Sequence, residues 1–146
     1  MKQERFKVYL SVYLVLHSDD SVLLLQRQNT GYADGCYSLV AGHAEEGETL
    51  CQAMIREAKE EAGIDLKVGD IAVAHIMYRQ SNRPNIDVFF TCIRWNNNIN
   101  NCEPEKCSDL RFFPVSQLPS SCLSYICQAL DYIEQGIPFS DHSNRK

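Results

Sequence analysis

Four glutamates and an arginine gather in one stretch of this chain: Glu48 in a glycine-flanked segment, then Arg56, Glu57, Glu60 and Glu61 in a helical one. Glu57, Glu60 and Glu61 fall at i, i+3 and i+4. At roughly 100° per residue they share one helix face. Like charges at that spacing destabilise an isolated helix by about 0.2–0.5 kcal/mol per pair. A sequence that keeps them together implies a partner that neutralises them. A hard divalent cation, Mg²⁺ or Mn²⁺, fits, because such ions take oxygen ligands and retain several waters. The competing reading is a solvated Glu/Lys face with no ligand.

The element that carries these groups is well specified. Thr49 and Gln52 match a capping box, which makes Thr49 the predicted N-cap. Cys51, Ile55, Ala58 and Ala62 form a second stripe, expected to face a sheet on the side away from Glu57. Gly63 stands where a C′ glycine ends a helix. The carboxylates are thus predicted to sit on a rigid element, as a catalytic site requires.

The spacing matches a known pattern. Gly42, Glu48, Arg56, Glu57, Ala58, Glu60, Glu61, Gly63 and Ile64 occupy every fixed position of the Nudix box. That pattern is Gly, five residues, Glu, seven residues, then Arg-Glu-apolar-any-Glu-Glu-any-Gly-apolar. Residues 42–64 therefore resemble the Nudix hydrolase family. Ala58 is a small residue for its apolar slot, and Val40-Ala41 stands where many relatives carry Pro-Gly or Pro-Ala.

Length and composition set outer bounds. A chain of 146 residues is expected to form one domain with a sizeable core. No apolar run reaches the length of a membrane span. Residues 1–16 are apolar-rich but broken by Lys2, Glu4, Arg5 and Lys7, so they read as a strand rather than a secretory signal. Seven cysteines, odd in number and scattered, suit reduced thiols in a cytoplasmic protein. The pairs Cys102/Cys107 and Cys122/Cys127 lack the tight spacing of a zinc site. A net charge of −5 argues against a nucleic-acid polymer as partner, since no basic stripe is advertised. A small polyanion remains compatible, because a metal can bring its phosphates to the carboxylates.

Hydropathy patterning predicts an α/β chain. Strands are expected over residues 6–16, 22–25, 37–41, 71–78, 86–95 and 110–113. A second helix is expected over residues 122–135, ended by Gly136. The segment 29–35 and the asparagine-rich 96–108 read as loops, and residues 137–146 as a loose polar tail. The resemblance implies the finer architecture: a Nudix-type α/β/α sandwich around a mixed β-sheet, with residues 1–146 as a single Nudix hydrolase domain.

The resemblance also implies an activity, metal-dependent hydrolysis of a diphosphate linkage in a nucleoside diphosphate derivative. It assigns Glu57, Glu60 and Glu61 as metal ligands, with the Gly42 carbonyl as a further one. Arg56 orients a glutamate, Glu48 being the candidate. Glu60 is the candidate base, with Glu103 and Glu105 as alternatives from a loop. Arg27, His43, Asn29 and Asp109 are candidate substrate contacts, and Tyr32, Tyr37, Trp95 and Phe113 candidate stacking rings. Gln80 stands near where ADP-ribose-type members carry proline, Tyr78 is out of register for the dinucleoside-polyphosphate type, and the coenzyme A signature is absent. What remains is the MutT-like group, which cleaves nucleoside triphosphates, oxidised ones such as 8-oxo-dGTP among them, to monophosphate and pyrophosphate. Other Nudix substrates (ADP-ribose, nucleotide sugars, dinucleoside polyphosphates) and a non-catalytic nucleotide sensor are the alternatives. The partner expected is a small-molecule nucleotide, with the protein a monomer or homodimer and no membrane association.

Overall fold

The computed structural model describes residues 3–143. Its centre is β1 (Tyr9–Ser18), in which Ser11 to Leu16 are all buried. A strand buried on both faces must be covered on both sides. Val12, Leu14 and Leu16 point into one core and Tyr13 and Val15 into another. The first core packs under α1 (Leu50–Ala62), and the second under α2 (Ser124–Glu134). The result is an α/β/α sandwich.

β2 (Ser21–Arg27) returns from β1 through a tight turn, and pairs with β3 (Tyr37–Ser38) and β7 (Cys107–Pro114). β4 (Val40–His43) runs antiparallel to β1, with Val12 opposite Gly42. On its other edge β1 pairs in parallel with β6 (Asn85–Cys92), which pairs antiparallel with β5 (Ile71–Gln80). The sheet is therefore mixed. β1 begins at Tyr9 rather than at residue 6. The pairing with β6 starts at Tyr9, and Phe6 before it is 73% exposed.

The segment expected to be a loose polar tail is not one over residues 139–143. Phe139–Ser143 form β8, which adds in parallel to β5. Buried His75 explains the attachment. Its Nδ1 lies 2.7 Å from the Ile137 carbonyl and its Nε2 2.8 Å from the Ser140 hydroxyl. Gln128 of α2 adds amide donation to Ser140 and to the Asp141 carbonyl. Polar composition hid a strand held by polar anchors. Residues 144–146 lie outside the described residues.

α1 starts and stops as its sequence dictates. The Thr49 hydroxyl accepts from the Gln52 amide, the Gln52 side chain accepts from the Thr49 amide, and Gly63 takes a left-handed φ of 72°. Its inward face differs from the expected stripe. Ala53, Met54, Ala58 and Ala62 are fully buried, Cys51 and Ile55 are only half-buried, and Glu57 itself lies on the buried side. The helix is rotated so that one carboxylate is pressed against the sheet.

Removing the cap tests the helix start without touching the site. Thr49→Ala is expected to lower unfolding free energy by about 1 kcal/mol, read as a shifted denaturant midpoint with an unchanged slope.

Candidate active site

Burial of Glu57 is made possible by Gly42. A Cβ built at residue 42 would stand 1.8 Å from the Glu57 Oε2. Only a glycine admits that carboxylate against the β4 backbone. The site is thus assembled from a strand end, a loop and one helix face.

Arg56 organises the loop. Its Nε donates to Glu48 Oε2 at 2.7 Å and its Nη2 to Glu48 Oε1 at 3.1 Å, a two-point clamp. The same Nη2 donates to the His43 carbonyl at 3.1 Å. Glu48 in turn accepts from the Glu45 amide, closing the loop on itself. Hydrogen bonding from Arg56 holds the Glu48 carboxyl below its ordinary range. Arg56 Nη1 faces the helix, 3.2 Å from Glu57 and 3.3 Å from Glu60.

The carboxylates crowd one another. Burial, with the negative charge of Glu60 adding to it, pushes the Glu57 carboxyl up to about 7, against the opposing pull of Arg56. Burial also raises Glu61 well above its ordinary value, and the Glu57 charge raises it further. Donation from the Ala41 amide to Glu61 Oε1 at 3.3 Å opposes that rise in part. Glu103, from the loop after β6, adds to the negative field on Glu61, while the backbone of that loop ties to the end of α1 through the Cys102 amide and the Glu61 carbonyl.

Among the described residues no three His, Cys, Asp or Glu side chains already encircle a common point as a cage for an ion. The donor set nevertheless suits a hard divalent cation. The oxygens of Glu57, Glu60 and Glu61 share one helix side, burial and mutual repulsion raise the Glu57 and Glu61 carboxyls, and among the described residues Arg56 is the cation paired with Glu57 and Glu60.

Beyond Gly42 and His43 opens a cleft of about 720 Å³ on the α2 side of the sheet. Arg27 and His43, both named from sequence, line it. Arg27 also holds the β2–β3 loop, donating to the Tyr32 carbonyl at 2.8 Å and the Thr30 hydroxyl at 3.0 Å. Asn29 and Asp109 are not brought to the cleft. The Asn29 amide donates to the Glu105 carbonyl, tying two loops together. Asp109 accepts from the Tyr37 hydroxyl at 2.5 Å and from Arg111. Of the four candidate stacking rings only Tyr32 reaches the cleft. Tyr37 packs edge-on against Phe113, and Trp95 stacks on Phe112.

The cleft contains residues that the sequence reading missed: Tyr13, Arg79, Arg83, Asn85 and Tyr125. A signal existed. Ser11 and Tyr13 share one face of β1, Arg79 shares a face of β5 with His75 and Met77, and Asn85 and Asp87 share a face of β6 with Phe89. Polar groups on an inward-facing alternation mark either a network or a site.

A glutamate-bearing helix braced by an arginine thus lies against a mixed sheet, beside a cleft lined by arginines. The sequence profile of the NUDIX domain matches residues 7–125, and the chain belongs to that family. A MutT NUDIX hydrolase from Burkholderia pseudomallei superposes with a TM-score of 0.80 at 19% identity, over 86% of this chain and 98% of the other. The MutT protein from Methanosarcina mazei Go1 gives 0.77 at 19% identity, over 91% and 97%. Among curated proteins, the ADP-ribose pyrophosphatase of Methanocaldococcus jannaschii is 36% identical over 69 residues, 44% of this chain and 40% of that one. The NAD-capped RNA hydrolase NudC of Escherichia coli is 43% identical over 56 residues, 38% of this chain and 21% of that one. The match spans less than half the length of these curated relatives. No helix of the described residues is long and apolar enough to cross a membrane, and all seven cysteines are free.

Two outcomes follow from the crowded carboxylates. Gly42→Ala displaces the Glu57 carboxylate, and is expected to weaken Mg²⁺ or Mn²⁺ binding about 10- to 100-fold with the circular dichroism spectrum retained. In the metal-free protein the buried Glu57 is expected to make stability decline as pH rises. A glutamate whose folded pKa is raised contributes stability below its unfolded pKa, and this is lost as pH rises through the folded value. Thermal midpoints without metal should fall as pH climbs from 4.5 towards 7, and saturating Mg²⁺ should flatten that decline.

Proposed function

We propose that this NUDIX hydrolase cleaves nucleoside triphosphates to the monophosphate and pyrophosphate. The observation that carries this reading is the charge of the cleft adjoining Gly42. Arg27 and Arg83 line it without a buried counter-ion, Arg79 lines it paired to Asp87, and no acidic side chain is among the lining residues. Such a lining suits a substrate with more negative charge than one diphosphate supplies.

Glu57, Glu60 and Glu61, with the Gly42 carbonyl, are the groups that would hold Mg²⁺ or Mn²⁺. That ion supplies charge neutralisation at the phosphates and lowers the pKa of water. The chain's own residues do the rest. Glu60, half exposed at the edge of the cluster, takes the proton from the attacking water. Oxygen bonds to phosphorus as the bridging P–O bond breaks, and pyrophosphate leaves. Arg56 holds the Glu48 loop and the helix carboxylates in register. Glu103, whose charge acts on Glu61, is the second candidate for the proton. Arg27 and Arg83 face the phosphates at the mouth of the cleft. We place the enzyme in the cytoplasm, where nucleotides and reduced thiols coexist.

A second reading has one observation in its favour, the 36% identity to an ADP-ribose pyrophosphatase. ADP-ribose carries only the diphosphate, so the two readings separate by product. Incubation with Mg²⁺ and a panel of triphosphates, ADP-ribose, nucleotide sugars and a dinucleoside tetraphosphate is expected to give pyrophosphate from the triphosphates. Turnover confined to ADP-ribose would sink the first reading. Glu60→Gln is expected to lower kcat by about 10²- to 10⁴-fold while the thermal midpoint stays put. A fully active Glu60→Gln enzyme would overturn the proton assignment.

A further inference from the structure

The floor of the cleft holds a charged pair of unusual depth. Arg79 is 7% exposed and Asp87 beneath it 0%. Arg79 Nε donates to Asp87 Oδ2 at 2.8 Å and Nη2 to Asp87 Oδ1 at 3.3 Å, while the guanidinium carbon rides 4.0 Å from the Tyr125 ring centre. The Asn85 amide donates to Asp87 Oδ1 and to the Ser11 hydroxyl, fixing the carboxylate from its other side. A guanidinium fixed this firmly cannot swing to suit its ligand. Arg79 lines the cleft, and the donors that Asp87 leaves over are Nη1, which has no hydrogen-bond partner among the described residues, and the Nη2 proton that makes a long 3.3 Å contact with the Tyr13 hydroxyl.

Charge decides what those donors take. Asp87 already neutralises Arg79, so the pair offers little net attraction to another phosphate. Arg27 and Arg83 have no such buried counter-ion and remain for the phosphates. Arg79 keeps its geometry, two N–H donors side by side in one plane, and shares the cleft with Tyr32, a half-exposed ring that has the Arg27 guanidinium 5.3 Å from its centre. That combination matches a flat heterocycle with two adjacent acceptors.

We propose that Arg79 is the base-reading residue of this enzyme, and that it selects nucleotides of 6-oxopurines, guanine and hypoxanthine, through O6 and N7. Arginine paired with these two acceptors is the commonest specific contact to guanine. Adenine places an amino donor at position 6, against the Arg79 N–H groups. In 8-oxoguanine N7 carries a proton, so one acceptor becomes a donor and the oxidised base is disfavoured. The inference rests on the hydrolase reading above and narrows its substrate.

The test compares kcat/KM for GTP, ITP, ATP, CTP, 7-deaza-GTP and 8-oxo-GTP with the unaltered protein, and repeats it with Arg79→Lys, which keeps the charge and loses the fork. GTP and ITP are expected to exceed ATP by about tenfold or more, and replacing N7 by carbon to cost GTP about tenfold. In Arg79→Lys the GTP and 7-deaza-GTP values should converge. The wild-type comparison stands even if that variant fails to fold. Preference for ATP, CTP or 8-oxo-GTP, or equal rates for GTP and 7-deaza-GTP, would overturn the assignment while leaving the hydrolase in place. Absence of turnover on every triphosphate, with turnover of ADP-ribose, would instead remove the reading on which it rests.

Discussion

Everything at the candidate site depends on a carboxylate pressed against a backbone that has no side chain. Glu57 is buried because residue 42 is glycine, and burying it raises its proton affinity. A buried carboxylate left alone is costly. The cost is offset here by Arg56, whose guanidinium also fixes the loop through Glu48 and the His43 carbonyl. One cation therefore serves two tasks, countering the helix carboxylates and shaping the loop that leads into the helix. An incoming divalent ion would relieve it of the first and leave it the second.

The site and the cleft meet at β4. Its inward neighbour is β1, and its last residues, Gly42 and His43, border both the glutamate cluster and the cleft. The two helix layers divide the labour accordingly. α1 carries the acidic groups, and the α2 side carries the basic and aromatic ones. Opposite charges are kept on opposite faces of one strand, so the arginines of the cleft do not neutralise the glutamates of the helix. Arg56 is the cation that bridges the helix carboxylates and the loop, and it belongs to the acidic side.

Sequence showed the acidic half far better than the basic half. The box residues are local, and a capped helix fixes their spacing whatever the tertiary structure does. The sandwich followed from the strand pattern together with that resemblance. The cleft is different in kind. The residues missed there come from β1, β5, the β5–β6 loop, β6 and α2, and they meet through the pairing of β6 with β1 and β5 and the docking of α2. Asn29 and Asp109 failed as cleft residues because loop and strand-end polar groups often serve neighbouring backbone and side chains. β8 was hidden for a related reason. Its attachment relies on a buried histidine and on main-chain pairing rather than on an apolar run.

The parallel pairing of β1 with β6 also governs how the protein comes into being. Tyr9 finds Asn85, and Leu16 finds Cys92, across about half the length of the chain. A ribosome must release β6 before the central strand can acquire its second neighbour. Until then β1 has only β2 and β4 beside it, with an apolar edge open to other chains. Contacts so distant in sequence slow folding, and an unpaired hydrophobic edge invites association in the interval. The strand that organises the finished molecule is thus its most vulnerable part during synthesis.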